Sequence, residues 1–218
     1  MIQAAIFDLD GTLLDSMGAW DTLGNRYLQT LGKEPQADLT KTFQAMTTAQ
    51  AAQYYREHCG VTLSVEEICI GIHDLIAQDY KETISLKPGA GAFLTALKKH
   101  GVTLYAATSN ERSLSEAALR RNGIWNLFSG LLTCSEIGHG KDEPFIYRKA
   151  MALSGTRREN TVVFEDALYA AATAKRDGFP IAAVYDPYEA EPEQLKALAD
   201  FYICDYREPN ILAQFLRQ

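Results

Sequence analysis

The chain has 218 residues, 47% of them hydrophobic, with a formal net charge of −7 and four cysteines. That is enough for one good core and a smaller satellite unit, while scattered Lys and Arg in an acidic chain argue against sequence-independent nucleic-acid binding, which needs a basic footprint. Cys59, Cys69, Cys134 and Cys204 form no Cys-x-x-Cys pair, so neither a zinc site nor a disulfide framework is indicated; with no signal layout and no apolar run near the ~18 residues of a membrane span, the expected compartment is the cytoplasm.

Residues 3–7 form a mostly apolar run expected as a buried strand, followed by Asp8, Leu9, Asp10, Gly11 and Thr12. Side chains two apart on an extended backbone point the same way, so Asp8 and Asp10 are expected to face one site, and Gly11 lets the backbone turn. Two acids aimed at one place must share a proton or a cation. A lone Asp-Gly is usually a strand-ending turn, but Asp-x-Asp-Gly-Thr arises in a chain of this length only about a few times in a thousand.

Next, 17–32 carries apolar residues at helical spacing and ends on Gly32; Thr47 with Gln50, and Ser64 with Glu67, each match a capping box that opens a helix. The stretch 17–86 reads as all helix. After Lys87-Pro88-Gly89 comes a helix at 90–100, then a strand at 102–107, a helix opened by Ser113 with Glu116, and a strand at 131–134. A helix at 143–153, a strand at 161–164, an alanine-rich helix at 167–177, and strands at 181–185 and 201–203, each with a helix after it, complete the chain. Alternating strands and helices predict an α/β fold, a Rossmann-like, doubly wound and mainly parallel sheet. The core is 1–16 with 87–218, and 17–86 is an inserted helical domain.

The strand ends collect polar groups: Asp8; Thr108, Ser109 and Asn110; Glu165 and Asp166; Asp186; Asp205. Ligands of open parallel sheets sit beyond the carboxyl ends of the strands, where the strand order reverses. Asp8, Asp10, Glu165 and Asp166 gathered there would repel without a cation, and few carboxylates with substrate oxygens suit Mg²⁺ better than a full Ca²⁺ cage. Taken alone, Glu165-Asp166 would read as a helix-start acid pair. Thr108, Ser109 and Asn110 precede a helix and can meet an anion there, or serve as an ordinary cap. Lys141 lies in a glycine-flanked loop before a helix.

Four patches, FDLDGT at 7–12, AATSN at 106–110, GKDEPFIY at 140–147 and VVFEDA at 162–167, resemble in order and spacing the motifs of the haloacid-dehalogenase-like superfamily. The helical insertion resembles the α-helical cap of its beta-phosphoglucomutase-like and phosphoglycolate-phosphatase-like members. The resemblance implies Asp8 as the nucleophile that forms an aspartyl-phosphate and Asp10 as general acid and base. Thr108 and Lys141 would hold phosphoryl oxygens, and Asp166 would complete a Mg²⁺ site with the Asp8 carboxylate and the Asp10 backbone carbonyl, Glu165 lying in or just behind it. Asp142 stands where the family commonly has proline, and Ala167 where many relatives have serine.

A second aspartate at Asp10 suits phosphate chemistry; dehalogenating and phosphonate-cleaving relatives lack it. Beta-phosphoglucomutase-like mutases carry a cap histidine where this chain has Trp20, and 44–52 holds no basic residue, so hydrolysis is favoured over the mutase alternative. Trp20, with Asp15, Ser16 and Met17, is a candidate for leaving-group contacts, and equally a residue of the cap core. The expected function is a Mg²⁺-dependent phosphatase acting on a small phosphorylated metabolite under a closing cap, with no nucleic-acid or membrane partner, as a monomer or weak homo-oligomer. A phospho-ligand-binding or regulatory protein without turnover is the alternative outside enzymes.

Overall fold

A computed structural model describes residues 2–37, 39–43 and 46–216. Six parallel strands, β1 (Ala4–Phe7), β2 (Thr103–Thr108), β3 (Gly130–Thr133), β4 (Thr161–Glu165), β5 (Ile181–Val184) and β6 (Phe201–Ile203), form one sheet in the order β3-β2-β1-β4-β5-β6. β1 is central: Ala4 pairs with Thr103 on one side and Thr161 on the other, and Phe7 with Ala106 and Phe164. The chain winds outward from β1 through β2 to β3, then crosses to β4 and winds the other way. The order therefore reverses beside β1, and the carboxyl ends of β1, β2 and β4 lie side by side.

Period-two alternation divides the core between the two faces of the sheet. Phe7 stacks on Phe164 with centroids 4.1 Å apart, and both meet Phe93 of the helix Ala90–Lys99 edge-on. Phe164 also packs on Phe215 of the helix Ile211–Leu216. On the opposite face Ile6 and Val163 are buried with Tyr147 and Ala150 of the helix Phe145–Ser154 and with Ala171 and Ala174 of the helix Leu168–Arg176. Small residues there let the helix approach the sheet closely.

The chain divides into two compact units, 1–16 with 84–218, and 17–83. Residues 84–86, placed by the sequence in the insertion, group with the sheet unit because Ser85 O accepts from Asp15 N at 2.9 Å and Leu86 bridges Leu14. The helical unit holds the helices Met17–Thr30, Leu39–Phe43, Thr48–His58 and Val65–Glu82. Both expected capping boxes, Thr47 with Gln50 and Ser64 with Glu67, are formed. Tyr27, Leu28, Ala52, Tyr55 and Ile68 fill this unit's own core. Among the described residues no helix is long and apolar enough to cross a membrane.

Two local expectations are corrected. Ser113 does not open its helix: Arg112–Arg121 is capped two residues earlier, at Glu111, and Glu116 pairs with Arg112 and Arg120 instead. Cys134 is not in a strand but begins a short helix, Cys134–Ile137, whose capping box is made by Thr133 and Glu136. The segment 44–52, whose lack of basic residues weighed against the mutase alternative, is described only from residue 46.

Candidate active site at the carboxyl edge of the sheet

Asp8 lies immediately beyond β1, its backbone N–H donating to Phe164 O at 3.0 Å and so carrying the β1–β4 ladder one residue further. The chain then turns. Gly11 adopts a φ of 78°, a left-handed conformation that costs a side-chain-bearing residue steric strain. The N–H groups of Leu13 and Leu14 both return to Leu9 O, at 2.9 and 2.8 Å. On this turn Asp10 is held at both oxygens, with Ser16 Oγ donating to Oδ1 at 2.7 Å and Asn110 Nδ2 to Oδ2 at 3.1 Å. Thr12 Oγ1 donates to Asp166 Oδ1 at 2.7 Å.

Asp8, Glu165 and Asp166, all buried, offer carboxylate oxygens within 4.8 Å of one another. Of the four acids expected together, Asp8, Glu165 and Asp166 form this group, and the Asp10 charge is near enough to act on Asp8. β1 ends at Phe7, so Asp10 lies in the turn, where strand alternation no longer directs its side chain, and its carboxylate is taken by Ser16 and Asn110. Lys141 reaches the cluster from the loop before the helix Phe145–Ser154. Its ammonium is buried and donates to Asp8 Oδ1 and, at 2.7 Å, to Glu165 Oε1. Glu165 Oε1 also accepts from the buried Tyr147 hydroxyl at 2.8 Å.

The electrostatics follow from burial. Loss of water pushes the Asp8 carboxyl well up, against the pull of Lys141, and Glu165, Asp166 and Asp10 push it the same way as burial. Asp166 is raised to about 7, first by burial and then by Glu165, with the Thr12 hydrogen bond opposing. For Lys141, burial works against the charge, but Asp8 and Glu165 outweigh it and hold the ammonium protonated. Tyr147 is raised by burial and by the Glu165 charge, which keeps its hydroxyl a donor. One ammonium faces three buried carboxylates, and such an excess must take up protons or a cation. An all-oxygen, acidic donor set is of the kind that could hold a hard divalent ion.

The other sequence candidates are distributed as follows. Thr108 ends β2, is buried, and its Oγ1 accepts from Asn110 N at 3.0 Å; Asn110 Oδ1 accepts from Glu111 N at 2.8 Å. The backbone N–H groups of Asn110 and Glu111 are thus engaged within the turn itself, as in the cap that the sequence offered beside an anion site. Ser109 is exposed, its Oγ 3.5 Å from Cys134 Sγ. Trp20 belongs to the helical unit, where its indole N–H donates to Tyr80 Oη at 3.0 Å and its ring meets Tyr80 edge-on. Ser16, one of the candidates for leaving-group contacts, donates its hydroxyl to Asp10.

Thr12, Tyr147 and the ion pair of Lys87 with Asp186 were not singled out in the sequence. Thr12 and Tyr147 lie inside motif patches already recognised, but nothing in those patches pairs Thr12 with Asp166 or Tyr147 with Glu165. Lys87 Nζ sits 2.9 Å from Asp186 Oδ2 and donates to Tyr185 O at 2.6 Å, beyond the end of β5, and nothing local marks that pairing.

Comparison with known proteins bears on the chain that carries this site. The profile of haloacid dehalogenase-like hydrolases matches residues 5–184. A validoxylamine A 7'-phosphate phosphatase of Streptomyces hygroscopicus subsp. limoneus is 29% identical over 196 residues, covering 88% of this chain and 89% of the relative. A phosphorylated carbohydrates phosphatase of Thermotoga maritima is 25% identical over 177 residues, covering 81% and 82%. The crystal structure of CbbY from Rhodobacter sphaeroides in complex with phosphate superimposes with a TM-score of 0.76 at 23% identity, covering 95% of this chain and 96% of that one, a likeness of fold.

Proposed function

The chain belongs to the haloacid dehalogenase-like hydrolase family, and from that premise we propose that it is a Mg²⁺-dependent phosphatase that hydrolyses a small phosphorylated metabolite through an aspartyl-phosphate on Asp8. The observation that carries the reading is Lys141, buried and bonded to both Asp8 and Glu165, with Asp166 in the same carboxylate group at the reversal of strand order. The relative named as a phosphorylated carbohydrates phosphatase supports a carbohydrate phosphate as the substrate class.

Asp8, Glu165 and Asp166 would hold the cation, with the Asp10 backbone carbonyl as a further oxygen. Bound there, Mg²⁺ would neutralise charge on the phosphoryl oxygens and so let an anionic carboxylate approach them. A carboxylate oxygen of Asp8 attacks phosphorus as the bond to the leaving oxygen breaks, and Asp10 delivers a proton to that oxygen. Water then attacks the aspartyl-phosphate, Asp10 takes its proton, and the phosphorus–Asp8 bond breaks to give inorganic phosphate and the free carboxylate. Lys141 places a fixed positive charge where negative charge spreads over the transferred group. Ser16 and Asn110, one on each oxygen, orient the Asp10 carboxylate for both proton transfers. Thr108 and Ser109, at the end of β2, would bound the phosphoryl site.

Phosphate release across a panel of phosphorylated metabolites, with and without Mg²⁺, in wild type and Asp8→Asn, tests the proposal. Metal-dependent release that the variant lacks supports it. Isomerisation of a sugar phosphate without release would make the chain a mutase, and binding without any conversion would make it a phospho-ligand-binding protein.

A further inference from the structure

Two buried donors converge on a single oxygen of Glu165: Lys141 Nζ at 2.7 Å and Tyr147 Oη at 2.8 Å both bind Oε1. Lys141 alone could not fix that carboxylate. Its ammonium also serves Asp8, and the terminal torsion of a glutamate is broad, so a group held by one bond can swing about it. Tyr147 supplies a second, independent direction. Its ring is buried in the core cluster that holds Val163 and Phe179, so apolar packing as well as the hydrogen bond sets its place. We propose that Tyr147 is a positioning residue for the metal site: by sharing Oε1 with Lys141 it fixes the plane of the Glu165 carboxylate and leaves Oε2 as the oxygen available to a cation.

This inference rests on the reading of Glu165 as a cation ligand, and its chemistry is that of a group that orients a ligand without touching metal or substrate. Tyr147→Phe keeps the ring and its packing and deletes only the hydroxyl. Mg²⁺ binding to the whole metal-free protein is measured by calorimetry, with no substrate present. The variant is expected to bind Mg²⁺ about tenfold more weakly, the scale on which loss of a group orienting a ligand is felt, while kcat at saturating Mg²⁺ stays near that of wild type. A merely structural role is separated by repeating the substitution in a Glu165→Ala background. With no carboxylate to orient, Tyr147→Phe should change Mg²⁺ affinity there by less than about twofold, since the two effects act through one group.

Wild-type affinity in Tyr147→Phe, or a loss that persists undiminished beside Glu165→Ala, overturns the inference. Absence of Mg²⁺ binding in the wild type itself would overturn the metal reading first, and is distinguishable because it appears before any substitution is made.

Discussion

Thr12 Oγ1 donates a 2.7 Å hydrogen bond to Asp166 Oδ1, joining the turn after β1 to the residue after β4 across 154 positions of sequence. Both side chains are buried. Thr12→Val keeps the shape and deletes the donor, and leaving a buried acceptor short of a partner should cost about 1–3 kcal/mol in a urea titration. The same bond lowers the Asp166 carboxyl against the effect of burial. In the variant, therefore, that carboxyl should titrate at a higher pH, read from its carbon-13 shift in metal-free protein; an unmoved titration would show that the bond does not act on Asp166.

Lys141→Met replaces a buried ammonium by an apolar side chain of similar length. Asp8 and Glu165 then lose the only cation bonded to them among the described residues. Breaking a buried ion pair from one side costs about 3–5 kcal/mol when the remaining charge stays ionised. Protonation relieves that cost, so the folded variant takes up protons that its unfolded chain does not, and its stability should fall as pH rises. The deficit against wild type should be larger at pH 8 than at pH 5 in matched unfolding titrations. An equal deficit at both would mean that the carboxylates do not feel the lysine.

How much of this could be read in advance depended on whether a feature was local. Strands showed as apolar runs ending in polar residues, and the alternation with helices was enough for the parallel sheet, because burial on both faces leaves a period-independent signal. Thr47 with Gln50 and Ser64 with Glu67 cap their helices as their spacing suggested. The same pattern failed at Ser113 because Arg112, one residue before it, reaches Glu136 at 2.5 Å as well as Glu116, and that contact draws it into the first turn. The helix Leu39–Phe43 has one buried apolar residue and so no periodicity to detect. That Asp8, Glu165 and Asp166 lie together was expected from the polar residues at the strand ends and from the resemblance, and the direct pairing of β4 with β1 is what brings them there. The side-chain pairs Thr12 with Asp166 and Tyr147 with Glu165, 154 and 18 positions apart, join residues that no local pattern connects.

Gly11 offers a test of the turn that separates Asp8 from Asp10. Its φ of 78° is left-handed, and an alanine there should lose about 1–2 kcal/mol of stability to the contact of its Cβ with the following carbonyl. Relief of that strain by a change in the turn would also disturb Asp10. Gly11→Ala is therefore expected to reduce kcat for phosphate release more than Mg²⁺ affinity, because three of the four proposed ligands, Asp8, Glu165 and Asp166, lie outside the turn. Equal losses in both would show that the turn and the carboxylate group move as one.

Asp166 makes the pH dependence of metal binding predictable in sign. In the folded, metal-free chain burial and Glu165 raise its carboxyl to about 7, whereas an unfolded aspartate titrates near ~3.9. Between those values the folded state binds the extra proton, so the stability this group contributes is fully present below about pH 4 and is lost as pH rises through about 7. Unfolding of metal-free protein should show a decline from pH 5 to pH 8 that Asp166→Asn makes shallower. A cation at the site must displace that proton. Mg²⁺ binding should then be weaker at pH 6 than at pH 8 and release more protons there, measured by calorimetry in two buffers of different ionisation heat. Binding heats at pH 6 that are independent of the buffer would mean that Asp166 is already ionised, and that the burial of this site is less costly to its carboxylate than its surroundings imply.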